Sequence, residues 1–372
     1  MVITVCGTRP EAIKLEPVIK GLYALGVPTE LWTITQHQKL LYTALRDMDL
    51  EPDQEFIFER KTSCLSELIG HIGSQFGPVL KKVDPKLVVV QGDTTSAALA
   101  AFIAFNEGIP VAHVEAGIRS HVPSEPFPEE ANRRLIDSVS SLRFCPTWGN
   151  KSNLLLEGLG KNNPVTGNTV IDALKKTYSS LPPVEMRETY WPNTDQKRIL
   201  IDLHRREKWS VIPDIFAQIN KLATRRPDLF FLVPCHPNKL IGEAARERFV
   251  RITGSIKDSV AVVDAMPHKD FVSHMETAHL IVTDSGGAQE EASWLGTPVL
   301  VARTALDRLE SIATGQAEQV APHPQAIPWR IEGLIDDRKR LKEMSKSSHA
   351  YGDGTAGSQI ARLIQEFLGG SS

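Results

Sequence analysis

The stretch Val282–Leu300, VTDSGGAQEEASWLGTPVL, decides how the rest of the chain is read. With the two residues before it, it gives a short apolar run, LIVTDS (280–285), that stops at Ser-Gly-Gly. A helix is expected from about Ala288 to Leu295, with Gly296 as its stop and Pro298 beyond. A second apolar run, PVLVAR (298–303), follows at once. Strand, turn, helix and strand in so few residues is the signature of a parallel βαβ unit. Glycines at the turn let a ligand approach the backbone, and the unsatisfied N–H groups of a helix start favour an anion. The dipole contributes only about 0.3–2 kcal/mol, so hydrogen bonds would have to supply most of an anion's affinity. Ser285 reads equally well as an ordinary N-cap. Glu290 and Glu291 are adjacent, so they face different directions, and one can meet a sugar diol.

The same alternation extends in both directions. VITVC (2–6), ELWTIT (30–35), KLVVVQG (86–92) and PVAHVEAG (110–117) read as strands separated by helical patterns, among them TTSAALAAFIAFNEG, which Gly108 would stop. A Pro-rich, polar connector covers 179–196. RILIDLH (198–204), LFFLVPCH (229–236), VAVVDAM (260–266) and the two runs above form a second set. The expectation is an α/β protein with two doubly wound, Rossmann-like parallel-sheet domains facing a cleft. The first would span 1–170 and the second 171–354, with a last helix at about 355–370 able to return to the first. In such sheets ligands bind beyond the carboxyl ends of the strands. The residues to inspect are therefore Gly7–Glu11, Gly92–Thr95, Glu115–Gly117, His204–Glu207 and Asp284–Gly287.

Bulk properties narrow the function. The chain has 372 residues, 41% hydrophobic and 23% charged, with a net charge of −3. That suits about two soluble domains and gives no overall field for nucleic acid or an anionic membrane. Four scattered cysteines without a CxxC pair indicate neither a zinc site nor a disulfide framework. The opening MVITVCGTRPE reads as a strand rather than a signal peptide, and no apolar run is long enough to span a membrane. A cytoplasmic protein without metal is expected. The G-x-G-x-x-G fingerprint is absent, which argues against a dinucleotide oxidoreductase.

Candidate site residues follow from position and type. Arg9 sits at a helix start, a poor place for a cation unless an anion lies nearby, and can face a diphosphate. Asp93, Glu115 and Glu129 would form a carboxylate cluster whose mutual repulsion suits acid–base work. Asp93 also reads as a helix N-cap, and Glu129 as ordinary first-turn charge after Pro128. His113 reads as a half-buried strand residue. Arg133 and Arg134 either pair with nearby acids or coat their helix. His204 ends a strand, where it can contact phosphate or move a proton, and Asp202 lies two positions before it on the same strand face.

Taken together, GTRPEAIKLEPVI, GDTTSA, HVEAGIRS, PFPEEANRRLIDSVS, FCPT, VTGNTVIDAL, HRRE, DSGGAQEEASWLGTPVLV and YGDGTA resemble the UDP-N-acetylglucosamine 2-epimerase family, in order and over nearly the whole chain. The resemblance implies the glycosyltransferase-B architecture, a UDP-sugar substrate, no cofactor and a homodimer. It implies catalytic roles at Asp93, Glu115 and Glu129, and for His204 a role that is either catalytic or beside the diphosphate. It implies diphosphate contacts at Arg9, Ser285, Gly286 and Gly287, ribose binding by Glu291, and a substrate-binding role for Arg133. The implied reaction eliminates UDP from C1, takes the C2 proton, and re-adds UDP to a glycal after reprotonation on the other face. A hydrolysing branch releases UDP and free N-acetylmannosamine instead. Non-hydrolysing bacterial members bind a second UDP-GlcNAc as activator; Gln36, His37 and His236 match that site, with Lys39 in place of a usual residue and VPCHPNKL shortened. The chain departs again at TALDRLES (304–311), where Arg308 and Glu310 are kept but Leu309 replaces a proline. A glycosyltransferase of the same fold and a non-catalytic sugar-nucleotide sensor are the competing classes.

Overall fold

The computed structural model describes residues 1–35, 38–58, 65–187, 190–192, 195–205, 208–235, 245–247 and 259–370. It separates into two compact units, Met1–Ala173 with Gly352–Ser372, and Leu174–Tyr351. Among the described residues no helix is long and apolar enough to cross a membrane.

The first unit carries β1 (Val2–Cys6), β2 (Thr29–Thr35), β3 (Gln54–Ile57), β4 (Leu87–Gln91), β5 (Val111–Val114) and β6 (Leu142–Phe144). They form one sheet in the order β3-β2-β1-β4-β5-β6, with every pairing parallel. Burial on both faces is what allows continuous apolar strands. Along β1, Val2 and Cys6 join the core on one face, while Ile3 and Val5 join the core on the other. Trp32, Phe56 and Phe76 meet in tilted and edge-on contacts with centroids 5.3–5.7 Å apart, filling the β2–β3 side of that second core.

The second unit carries β7 (Lys197–Asp202), β8 (Leu229–Pro234), β9 (Val260–Val263), β10 (Leu280–Thr283), β11 (Val299–Ala302) and β12 (Ala317–Val320). Its sheet, read from the β9 edge, runs β9-β8-β7-β10-β11-β12, again all parallel. Both units thus repeat one topology, in which the chain order reverses between the first and fourth strands. Ligands in open α/β sheets bind at that switch point. It lies between β1 and β4 in one unit and between β7 and β10 in the other.

Three short edge strands, β3, β6 and β12, are absent from the sequence reading. β3 buries only Phe56 among its four residues, and β12 only Ala317 and Val320. An edge strand covered at so few positions shows no apolar run. The helix after β10 begins at Gly286 rather than Ala288, because the Ser-Gly-Gly turn is itself the helix start. Its stop is as expected: Gly296 takes the left-handed conformation at φ 78° and donates its N–H to Ala292 O (3.0 Å).

The final helix, Ala356–Gly369, packs along the first helix, Arg9–Ala24. The Asp172 carboxylate fixes its start by accepting the N–H groups of Ala356 (3.2 Å) and Gly357 (2.8 Å). Glycine is required at 357, since a Cβ there would lie 2.4 Å from Pro17 Cβ. Gly357→Val is expected to overpack this seam by about 1–3 kcal/mol. Amide hydrogen exchange over 356–369 should then accelerate; unchanged protection would show that the seam yields without cost.

Candidate functional site

In the first unit the loop after β1 is tied to the loop after β4 by one buried carboxylate. Glu11 accepts from the Gly7 N–H (2.9 Å), the Thr8 hydroxyl (2.8 Å) and the Thr94 hydroxyl (2.6 Å). Burial pushes its pKa up, and the hydrogen bonds pull it partly back. Gly7 must be glycine, because a Cβ would lie 2.5 Å from Ile34 O. Arg9, two residues on, is exposed and has no ion pair among the described residues. It is the first residue of its helix, where the macrodipole disfavours a cation.

Asp93 does not cap the helix that follows it. Thr94 does, its side chain accepting from the Ala97 N–H (3.1 Å). Asp93 instead takes Arg133 Nε and Nη2 on one carboxylate oxygen, each at 2.8 Å, and its carbonyl accepts from Asn132 (2.9 Å). Glu115, just past β5, has φ 76°, a left-handed conformation that costs a non-glycine residue about 1–3 kcal/mol. Its carboxylate meets Lys14 Nζ at 2.5 Å and Gln91 Nε2 at 2.6 Å. Asp93 and Glu115 thus each face a cation of their own. Glu129 is half-buried at the start of the helix Glu129–Val139, which also carries Arg133. Pro128 is that helix's N-cap. The neighbouring Glu130 is the buried one. It accepts the N–H groups of Ser120 (2.9 Å) and His121 (3.3 Å) and lies 3.4 Å from Arg133 Nη1.

His113 is fully buried, not half-buried. Its Nδ1 faces Asp137 (2.7 Å) and its Nε2 faces Gly92 O (2.8 Å). Asp137 also meets Arg119 Nη2 (2.7 Å) and the Gly117 N–H (3.2 Å). The network thus braces both Gly92, before Asp93, and Gly117, after Glu115. Burial alone would raise the pKa of Asp137; His113 and Arg119 outweigh it and hold the carboxyl below its usual range.

In the second unit, the β7 and β10 loops meet. The Asp284 carboxylate accepts the His204 N–H (3.0 Å) and the Arg205 N–H (2.9 Å). His204 Nδ1 lies 3.0 Å from Asp202 and 3.7 Å from Asp284. Burial would lower the pKa of His204, but the two carboxylates reverse this and raise it to about 9. Ser285 does act as N-cap, accepting from the Ala288 N–H at 3.4 Å. The two glycines differ. A Cβ on Gly286 would lie 2.3 Å from the Arg308 guanidinium carbon, whereas one on Gly287 would meet nothing within 4 Å. Arg308 is held by Glu290 (2.7 Å) and Asp307 (3.0 Å), so Gly286 serves a buried ion-pair network and Gly287 faces open space. Glu290 and Glu291 face different ways, as their spacing requires. Glu291 accepts from His268 Nε2 at 2.6 Å.

Gln36, His37 and His236, matched to an activator site, lie outside the described residues, as do Arg206 and Glu207. Among the described residues no three His, Cys, Asp or Glu are grouped to hold a metal. Sequence reading missed Lys14, Gln91, Glu130, Asp137 and His268. Breaking a buried pair leaves an uncompensated charge, so Asp137→Asn should destabilise the first unit by about 3–5 kcal/mol. The Asp137 contribution is present above the ordinary carboxylate pKa and is lost as pH falls through its lower folded value. Urea unfolding followed from pH 7 into acid should therefore show the wild-type advantage over Asp137→Asn shrinking; a constant difference would remove the charge from the explanation.

Comparison with known proteins agrees with this geometry. The family described as UDP-N-acetylglucosamine 2-epimerase matches residues 26–365. UDP-N-acetylglucosamine 2-epimerase of Neisseria meningitidis serogroup A is 36% identical over 371 residues, covering 98% of each chain. That of Escherichia coli K12 is 35% identical over 373 residues, also 98% of each. The crystal structure of UDP-GlcNAc 2-epimerase from Neisseria meningitidis bound to UDP-GlcNAc superposes with a TM-score of 0.92 at 34% identity, covering 98% of this chain and 99% of that one. The two six-stranded parallel sheets are those of this glycosyltransferase-B-like class. The chain belongs to the UDP-N-acetylglucosamine 2-epimerase family.

Proposed function

We propose that this chain interconverts UDP-GlcNAc and UDP-ManNAc without net hydrolysis, by eliminating UDP from C1 and re-adding it to a glycal intermediate. Epimerisation of UDP-N-acetylglucosamine is the activity of the family, and the relatives above, similar over nearly their full lengths, carry that activity in their names. The observation that carries the mechanism is Glu115, kept in a strained backbone conformation and gripped by Lys14 and Gln91 at the end of β5. Strain retained in this way concentrates at functional sites.

The C2 proton of the substrate is very weakly acidic until C1 becomes electron-poor. As the C1–O bond breaks, its electron pair goes to the UDP oxygen, and an oxocarbenium-like centre forms. The carboxylates of the first unit, Asp93, Glu115 and Glu129, stabilise that positive charge, as in glycoside hydrolysis. One of them takes the C2 proton and leaves the glycal. Reprotonation on the opposite face and return of UDP give the other epimer. Arg133 pairs with Asp93, and Lys14 with Glu115. The second unit holds the nucleotide: Ser285, Gly286 and Gly287 offer the helix start to the diphosphate, Glu291 accepts from the ribose hydroxyls, and His204 adds positive charge for the departing group, with Arg9 of the first unit as a further cation for it.

The active form is a homodimer in the cytoplasm. Support for self-association comes from Ile69, Phe102, Phe105 and Leu135, exposed apolar side chains on three helices that cover one face of the first sheet. Cys6 and Cys145 are buried free thiols, in keeping with a reducing compartment.

Proton NMR of UDP-GlcNAc with the protein in D₂O should show UDP-ManNAc appearing with deuterium at C2 in both epimers. Asp93→Asn and Glu115→Gln should each lower kcat by about 10²–10⁴-fold. Release of UDP with free N-acetylmannosamine would move the chain to the hydrolysing branch, and absence of C2 exchange would overturn the reading.

A further inference from the structure

His204 ends β7 with an unusual set of partners. Its Nδ1 donates to Asp202 Oδ1 at 3.0 Å, from two residues earlier on the same strand. The other oxygen of Asp202 is not idle. Oδ2 accepts from the Thr283 hydroxyl at 2.9 Å, and Thr283 pairs with Asp202 across the β7–β10 ladder. The carboxylate is therefore fixed from both sides before it meets the ring. The backbone is fixed as well, because Asp284 accepts the His204 and Arg205 N–H groups and Trp209 Nε1 donates to His204 O (3.0 Å). Among the described residues, the charged groups around the ring are Asp202 on β7, Asp284 just past β10, and Arg205, whose Nε is turned to Asp284 O (2.8 Å). Two carboxylates thus bear on the imidazole against one guanidinium engaged elsewhere.

We propose that Asp202 is a positioning residue that keeps His204 a fixed imidazolium, committing Nδ1 so that the ring addresses the diphosphate of UDP through Nε2–H. The proposal deepens the reading above and rests on it for the identity of the ligand. It gives His204 one sense of action: cation and hydrogen-bond donor to the anion that leaves C1, not a base for the C2 proton. When the C1–O bond breaks, the electron pair passes to the β-phosphate oxygen, and the Nε2–H stabilises or protonates it. On re-addition the same proton is taken back, so the ring ends as it began. With Asp202 neutralised, the ring loses its nearest counter-charge, and an amide at that position can equally donate to an unprotonated Nδ1. The raised pKa of His204, about 9, agrees with this arrangement.

The test uses the full-length protein with UDP as probe. Calorimetric UDP affinity is measured from about pH 6 to about pH 10 for wild type, Asp202→Asn and Asp202→Glu, beside an NMR titration of the histidine Cε1–H signals. His204→Gln identifies the His204 resonance. Wild-type affinity should hold until the pH approaches 9 and then fall. In Asp202→Asn both the fall and the His204 titration should move at least about one pH unit lower, so that UDP binds roughly tenfold more weakly at about pH 8.5. The deficit should shrink at about pH 6, where an ordinary histidine is protonated. Asp202→Glu should restore part of the shift. A merely structural role for Asp202 would weaken binding equally at every pH. That outcome, or a His204 titration unmoved in Asp202→Asn, overturns the proposal. If the wild type binds UDP but exchanges no C2 proton, the epimerase reading fails while the Asp202 result stands.

Discussion

Where parallel strands end, the hydrogen-bond ladder ends too, and the backbone N–H groups of the next few residues need other acceptors. In this protein buried carboxylates supply them. Glu11 takes the Gly7 N–H, Asp137 that of Gly117, Glu130 those of Ser120 and His121, and Asp284 those of His204 and Arg205. Asp172 does the same for the start of the final helix. Charge-assisted bonds of this kind are short and strong, and they fix a loop more firmly than water can. A buried charge is costly without partners, so each of these carboxylates has two or more. The loops that carry Arg9, Asp93, Glu115 and His204 inherit their rigidity from that requirement.

Charge is then sorted by unit. The first unit pairs Glu115 with Lys14 and Asp93 with Arg133. The second presents a histidine raised toward positive charge and a helix start capped only by a serine hydroxyl. Those are the two kinds of electrostatic help that the proposed elimination needs, negative charge for an oxocarbenium-like sugar and positive charge for a departing diphosphate. The same strand order serves both. What differs is the residues that the shared topology places just beyond β1 and β4, and beyond β7 and β10.

Much of this was legible in the sequence, and what was not has physical reasons. The central strands announce themselves as apolar runs because they are covered on both faces. β3, β6 and β12 lie at sheet edges, are short, and in β3 and β12 bury only one or two residues each, so they leave no such run. Asp93, Glu115 and His204 could be singled out because they follow strands. Lys14, Glu130 and Asp137 could not, because they sit on helices, where a charged residue is ordinarily a solvated one. Only the fold turns those positions inward. The Ser-Gly-Gly turn shows the same limit in miniature. Sequence marks both glycines alike, yet the Arg308 guanidinium explains Gly286 and nothing in the packing explains Gly287.

Glu115 brings stability and chemistry into direct opposition. A residue past β5 at φ 76° would be more comfortably glycine or asparagine. Its N–H still finds Phe144 O (3.1 Å), so the backbone itself gains nothing from a long acidic side chain. The side chain also brings a buried charge that needs Lys14 and Gln91 to hold it, and a buried ion pair is often no more stabilising than an apolar replacement. Neither the local conformation nor the packing therefore selects glutamate here. A carboxylate of fixed position, braced from Gly92 to Gly117 by the His113–Asp137 network, is what the proposed chemistry asks for. The strain at this one residue is best understood as stability given up for the placement of a charge.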